Sequence, residues 1–235
     1  SFAGVKIRAR VEYPNNDGIH INCSRDVSVE RCEIECGDDA IVVRANSRGL
    51  KQNRPCERVS VTNCKLRSFA NCIRIGWTCD GVIRDCSFSK LDMYESCGGI
   101  SLYLPPVETA DHGREYTHVE KMVFTDIKMD KIYAHPLLFV VENHPEVDYD
   151  VAKNFRFERI DATALELPRF EGQSQDKPFA DFVFRDCVFR RADDRDPGWK
   201  DYRRQGAAYW YRKQEGFPFR HTTNFVFENT RFDVK

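Results

Sequence analysis

The chain has 235 residues, 41% hydrophobic and 31% charged, which suits one large domain or two small ones with an ordinary soluble core. Its 36 basic and 37 acidic side chains leave a net charge of −1, so no global field draws it to nucleic acid or to an anionic membrane. No run of about 18 apolar residues occurs, which excludes a helical membrane span.

Ser1 opens the chain, and no basic segment followed by an apolar one comes after it. Phe2, Val5 and Ile7 then fall at the third, sixth and eighth positions of an eight-residue pattern that recurs downstream. That pattern reads apolar-x-apolar-x-polar-(Cys/Ile/Thr)-x-apolar. Its copies begin at Val27 (VSVERCEI), Val59 (VSVTNCKL), Gly81 (GVIRDCSF), Met122 (MVFTDIKM), Phe155 (FRFERIDA), Phe182 (FVFRDCVF) and Phe225 (FVFENTRF). Period-two alternation marks strands with one buried face. Their recurrence at a variable interval of no less than 22 residues predicts a coil of stacked turns with loops on one side.

Between these copies lie Ile19-His20-Ile21, Ile41-Val42-Val43, Ile73-Arg74-Ile75 and Ile100-Ser101-Leu102, continued by Leu138 to Val141 and Ala207 to Tyr211. Each turn thus contributes at least two strands, and hairpin turns such as Asn-Gly recurring about every 8–12 residues are missing, which argues against a sandwich or barrel. The expected fold is an all-β right-handed parallel β-helix. The chain begins inside a repeat, so N-terminal turns are expected to be missing, and those turns or another chain would cover the open end. Residues 1–235 are read as one such domain, with 192–220, rich in charge and aromatics, as a long loop or cap within it.

Ten cysteines are present, nine of them between Cys23 and Cys97. No CxxC pair or zinc spacing occurs. The pattern puts Cys32, Cys64 and Cys86 at its sixth position, where they would stack inside the coil as small apolar residues. A disulfide framework is the other reading, and the redox compartment stays open.

Two acidic turns carry the chemistry. Asn15-Asn16-Asp17-Gly18 leads into the Ile19 strand, and Gly37-Asp38-Asp39-Ala40 leads into the Ile41 strand. Asp17 and Asp39 each precede their strand by two residues and so share a column one turn apart. Strands about 4.8 Å apart then make their carboxylates neighbours. Asp38 projects differently, because side chains alternate along an extended chain. Three acids so close should raise at least one pKa. Glycoside hydrolysis uses that arrangement, one acid protonating the leaving oxygen while a carboxylate activates water. An Asp-Gly turn and a solvated or calcium-binding loop are the plainer readings.

NNDG followed by GDD resembles the polygalacturonase family, glycoside hydrolase family 28, best between Val5 and about Leu104. The resemblance implies a right-handed parallel β-helix and hydrolysis with inversion, Asp38 acting as general acid while Asp17 and Asp39 hold the attacking water. Secretion or a periplasmic location also follows from it alone. Two departures stand out. Ala70-Asn71-Cys72 replaces the family's G-H-G, and Ser101-Leu102-Tyr103 replaces its R-I-K, so strict galacturonate specificity is not expected. Arg74, Arg44 and His20 are candidate polar contacts to substrate, with Asn71 in the histidine's place. Trp77 and Tyr103 are candidate sugar-stacking aromatics, and His112 and His144 border the same cleft side. The expected partner is a carbohydrate; no cofactor or resident metal is expected. The alternatives are a non-catalytic carbohydrate-binding coil and a calcium-dependent lyase, separated by whether a sugar bond is hydrolysed, bound only, or eliminated to an unsaturated product.

Overall fold

A computed structural model describes residues 1–10, 13–77, 79–105, 117–142, 152–193, 195–199 and 219–234. The described strands form one 13-stranded and one 7-stranded sheet, and every strand pairing in them is parallel. Each turn of chain leaves the larger sheet, adds a strand to the smaller one and returns, which is a parallel β-helix. Right-handed crossover is the hand that twisted strands impose on such connections.

The eight-residue pattern is explained by two bends. Its fifth position is left-handed in every copy: Arg31, Asn63, Lys90, Asp126, Arg159, Asp186 and Asn229 have φ between 45° and 56°. A second left-handed column, Asp26, Arg58, Asp85, Lys121, Asn154, Asp181 and Asn224, precedes the first position. Asn and Asp tolerate this conformation and β-branched residues do not, so both columns are polar. Their side chains also bond along the axis: Arg58 holds Asp26 at 2.6 Å, Arg159 holds Asp126 at 2.6 Å, and Asn229 holds Asp186 at 2.6 Å.

Between the bends the apolar positions stack. Phe2, Val29, Val61, Phe88, Phe124, Phe157, Phe184 and Phe227 form one column. From Phe88 onward its rings lie nearly parallel, with centroids 4.8, 4.9, 4.8 and 5.0 Å apart. On the solvent side of the same sheet, Lys6, Glu33, Lys65, Asp92, Lys128 and Asp161 are successive register partners with alternating charge. Opposite charges across adjacent strands favour this register over a one-turn slip.

One copy of the pattern is out of register. Lys65 pairs with Asp92, so Leu91, not Cys86, follows Cys64 in the sixth-position column. Cys86 instead pairs with Met122 in the first-position column, and the third copy reads CSFSKLDM from Cys86. The 22-residue interval in this sheet was produced by the misplacement, since Gly81-Val82 also offered an alternating lead-in. No two of the ten cysteines form a disulfide, and eight are buried. Burial raises the Cys36, Cys72 and Cys86 thiols to about 12, so they stay protonated and apolar.

The smaller sheet carries most of the candidate site residues. Its strands are Ile19–Asn22, Ile41–Arg44, Asn71–Ile75, Gly98–Leu104, Leu137–Val141, Arg169–Glu171 and Phe219–Arg220. Ile19, Ile41, Ile73, Ile100 and Leu137 point inward, while His20, Val42, Arg74, Ser101, Leu138 and Arg169 form the outward row. Within 192–220, Trp199 is buried edge-on against Tyr133. Tyr202, Tyr209, Trp210 and Tyr211, with the strand expected at Ala207 to Tyr211, lie outside the described residues. Among the described residues no helix is long and apolar enough to cross a membrane.

Candidate active site

The two acidic turns are stitched together by backbone. Ile19 pairs with Ile41, and Gly18 N donates to Asp39 O at 3.0 Å. Asn16 bridges them, its Oδ1 accepting from Gly37 N at 2.6 Å and its Nδ2 donating to Arg10 O at 2.9 Å. The glycines allow this contact: a Cβ at Gly18 would strike the Ala40 carbonyl, and one at Gly37 the Tyr13 carbonyl. The sequence pattern marks the turns but not these bridging roles, because an Asn pair before Asp-Gly reads simply as a turn.

One oxygen each from Asp17, Asp38 and Asp39 lies within 4.8 Å of the other two. This is more compact than the about 6.5–9.5 Å ordinarily associated with inversion. It matches the span of one shared water, since two hydrogen bonds of about 2.8 Å at a tetrahedral angle separate their far ends by about 4.6 Å. The same three oxygens could also ligate a hard cation such as calcium, which requires further oxygen ligands to reach six to eight.

The three acids have different surroundings. Asp38 accepts from two backbone N–H groups, Asn15 at 2.9 Å and its neighbour Asp39 at 3.0 Å. Its carbonyl is held by Ser68 Oγ at 2.5 Å. Asp17 is exposed and bonded to His20 Nδ1 at 2.9 Å. Asp39 is buried at 6% exposure. Its Oδ1 accepts from Asn71 N at 3.1 Å and Asn71 Nδ2 at 2.7 Å, and its Oδ2 lies 3.4 Å from Arg74 Nε. Burial pushes the Asp39 carboxyl above the usual aspartate range; Arg74 and then Asn71 oppose this, while Asp38 and Asp17 reinforce it.

Asn71 falls in the Asp17–Asp39 column one turn further on, fully buried beneath Asp39. Arg44 is gripped by buried Asp80, which accepts from its Nε at 2.9 Å and its Nη2 at 2.7 Å. Asp80 also accepts from Trp77 N at 3.2 Å, and Thr117 Oγ donates to Trp77 O at 2.5 Å. Nothing in the sequence flags Asp80, whose setting in Cys79-Asp80-Gly81 looks like an ordinary turn. The Arg74 guanidinium carbon lies 4.5 Å from the centre of the Trp77 ring. Trp77 meets Tyr103 edge-on at 6.2 Å, and Tyr103 Oη donates to Glu142 Oε1. His112 and His144 lie outside the described residues.

Comparison with known proteins matches residues 1–139 to the family described as Glycosyl hydrolases family 28. The chain is 24% identical over 143 residues to a probable polygalacturonase of Arabidopsis thaliana, covering 59% of this chain and 28% of that protein. Its fold resembles that of a Yersinia enterocolitica family 28 exopolygalacturonase with a TM-score of 0.51 at 12% identity. That match covers 94% of this chain and 39% of the Yersinia one. The chain therefore spans well under half the length of either relative.

Proposed function

The chain belongs to family 28 of the glycosyl hydrolases, and from that premise we propose that it hydrolyses an O-glycosidic bond of a polysaccharide or oligosaccharide at the Asp17–Asp38–Asp39 cluster. The observation that carries this reading is the convergence of three carboxylate oxygens within 4.8 Å, one of them on a buried side chain. Burial raises the Asp39 carboxyl above the usual aspartate range, and the charges of Asp38 and Asp17 add to that rise.

In this reading Asp38, half-buried, delivers a proton to the glycosidic oxygen as the bond to the anomeric carbon breaks. A water held by Asp17 and Asp39 attacks that carbon and gives its proton to the pair. His20 orients Asp17, Asn71 orients Asp39, and Arg74 keeps Asp39 ionisable despite its burial. Trp77 and Tyr103 offer flat faces to a pyranose ring, and Asp80 with Arg44 fixes the turn that carries Trp77. Inversion is proposed from family membership, since the compact spacing does not supply it. Secretion or a periplasmic location is proposed on the same ground.

A panel of neutral and acidic oligosaccharides, followed by NMR of the anomeric proton, tests the reaction and its stereochemistry together. Initial product with the substrate's own anomeric configuration would overturn inversion. A second reading, a carbohydrate-binding coil without catalysis, is favoured by Asn71 and by Ser101-Leu102-Tyr103 at positions where the family carries His, Arg and Lys. Binding without turnover across the panel would establish it.

A further inference from the structure

The strand Asn71–Ile75 ends in a turn that brings the next side chain back over the strand's own outward residue. Gly76 has φ 67°, a left-handed bend that glycine adopts without strain. A Cβ there would lie 3.2 Å from the Thr117 methyl, so the bend is also packed closely against Thr117. Trp77 follows, and the Arg74 guanidinium carbon lies 4.5 Å from the centre of its ring. Arg74 thus meets the indole and, through Nε at 3.4 Å, the Asp39 carboxylate.

The backbone of Trp77 is clamped at both of its polar groups. Its N–H donates to Asp80 Oδ2 at 3.2 Å, and its carbonyl accepts from Thr117 Oγ at 2.5 Å. Thr117 Oγ in turn accepts from Asp80 N at 3.1 Å. Asp80 and Thr117 are both buried. Asp80 also takes donors from the preceding turn of the coil: Arg44 Nε, Arg44 Nη2 and Ala45 N. Burying a carboxylate is costly, and these bonds offset the cost only while every partner keeps its place. Trp77 is therefore tied to the turn before it through Asp80 and to the turn after it through Thr117, leaving only its side-chain torsions to place the ring.

Resting on the hydrolase reading, we propose that Asp80 and Thr117 are positioning residues of the acid cluster, acting through the Trp77 ring and the Arg74 side chain on Asp39. The clamp fixes the Trp77 backbone, the indole face holds the guanidinium by cation–π attraction, and the guanidinium is the cation beside Asp39. Arginine is long and loses much rotamer freedom when it is held in one place. Releasing the clamp frees the ring, and Arg74 then loses one of the surfaces that keep it against Asp39. The chain of contacts is contiguous, so breaking any link should have the same effect on Arg74.

The test follows the Arg74 Nε–Hε signal by nitrogen-15 NMR of the full chain, the signal being identified by its loss in Arg74→Gln. Protons over an indole face are shifted upfield by its ring current, and a buried Nε–H exchanges slowly with water. Thr117→Val keeps the side chain's shape and removes the hydroxyl, while Trp77→Leu removes the ring and leaves the clamp. In both, the upfield shift should be reduced or lost and Hε exchange should quicken about tenfold, with the fold confirmed by circular dichroism. Thr117→Val should also lower kcat about tenfold on an oligosaccharide that the unsubstituted chain cleaves. In an Arg74→Gln background the same substitution should change kcat less than about twofold, because the route to Asp39 is already cut. A purely structural Thr117 would lower kcat equally in both backgrounds, and that result, or an unchanged kcat, would overturn the positioning role. An unmoved Arg74 signal in folded Thr117→Val or Trp77→Leu would overturn the chain of contacts. Failure of the unsubstituted chain to cleave any oligosaccharide would instead sink the hydrolase reading, and the Arg74 signal would still decide whether the clamp sets that side chain.

Discussion

Arg74 Nε stands 3.4 Å from Asp39 Oδ2, bringing a cation from one strand against the buried acid that leads into its neighbour. Burial raises the Asp39 pKa, and the Arg74 charge is the largest influence in the opposite direction. Replacing Arg74 by Gln leaves burial unopposed on that side, so Asp39 should ionise at higher pH still. If Asp39 helps to activate water in its ionised form, the rising acid-side limb of the kcat/KM profile should move to higher pH. A limb at the same pH with only a lower plateau would assign Arg74 to substrate contact alone.

Asp39→Asn should remove activity and improve stability at neutral pH. The folded-state pKa of Asp39 is raised, so the native chain holds a proton that the unfolded chain releases. Its favourable contribution is therefore complete below the ordinary aspartate range and is lost as pH rises through the raised value. Thermal midpoints of the unsubstituted chain should fall, relative to Asp39→Asn, across that window and then run parallel above it. A gap that opens in the opposite direction would show that Arg74 and Asn71 outweigh burial.

Phe157 sits in the middle of the ring column, stacked on Phe124 at 4.9 Å and on Phe184 at 4.8 Å. Truncation to Ala leaves a cavity that flanking turns, pinned by backbone ladders, cannot close. A loss of about 3–5 kcal/mol is expected, read as a drop in the urea midpoint at unchanged m-value.

Lys90 is exposed, yet its φ is 52°. Lys90→Val should cost about 1–2 kcal/mol despite losing no buried contact, because a β-branched residue resists the left-handed bend. Lys90→Gly should be neutral or slightly stabilising. Equal effects of the two substitutions in thermal unfolding would remove the bend from the explanation of the polar fifth position.

The coil was readable from the sequence because its turns repeat one local rule. An alternating strand is interrupted by a polar left-handed residue, and the Asp17–Asp39 column follows from the lengths of the lead-ins. The rule failed at Gly81 to Phe88, where alternation continues unbroken into CSFSKLDM and the copy can be placed five residues early. Short strands such as Arg169–Glu171 and Phe219–Arg220 are too brief to show a period. The cluster was visible as residue types, but its wiring was not. Asn16 across the two turns, Asp80 under Arg44, and Thr117 against Trp77 depend on contacts 21 to 40 residues away. No local pattern encodes them.

The central claim is that the Asp17–Asp38–Asp39 cluster breaks a glycosidic bond. The most direct measurement compares hydrolysis of a neutral and acidic oligosaccharide panel by the unsubstituted chain and by Asp38→Asn, with circular dichroism confirming that both are folded. The account predicts reducing-end release by the former and a loss of about 10²–10⁴-fold in kcat for the latter, the range expected for removing a general acid. Undiminished release by folded Asp38→Asn would contradict it.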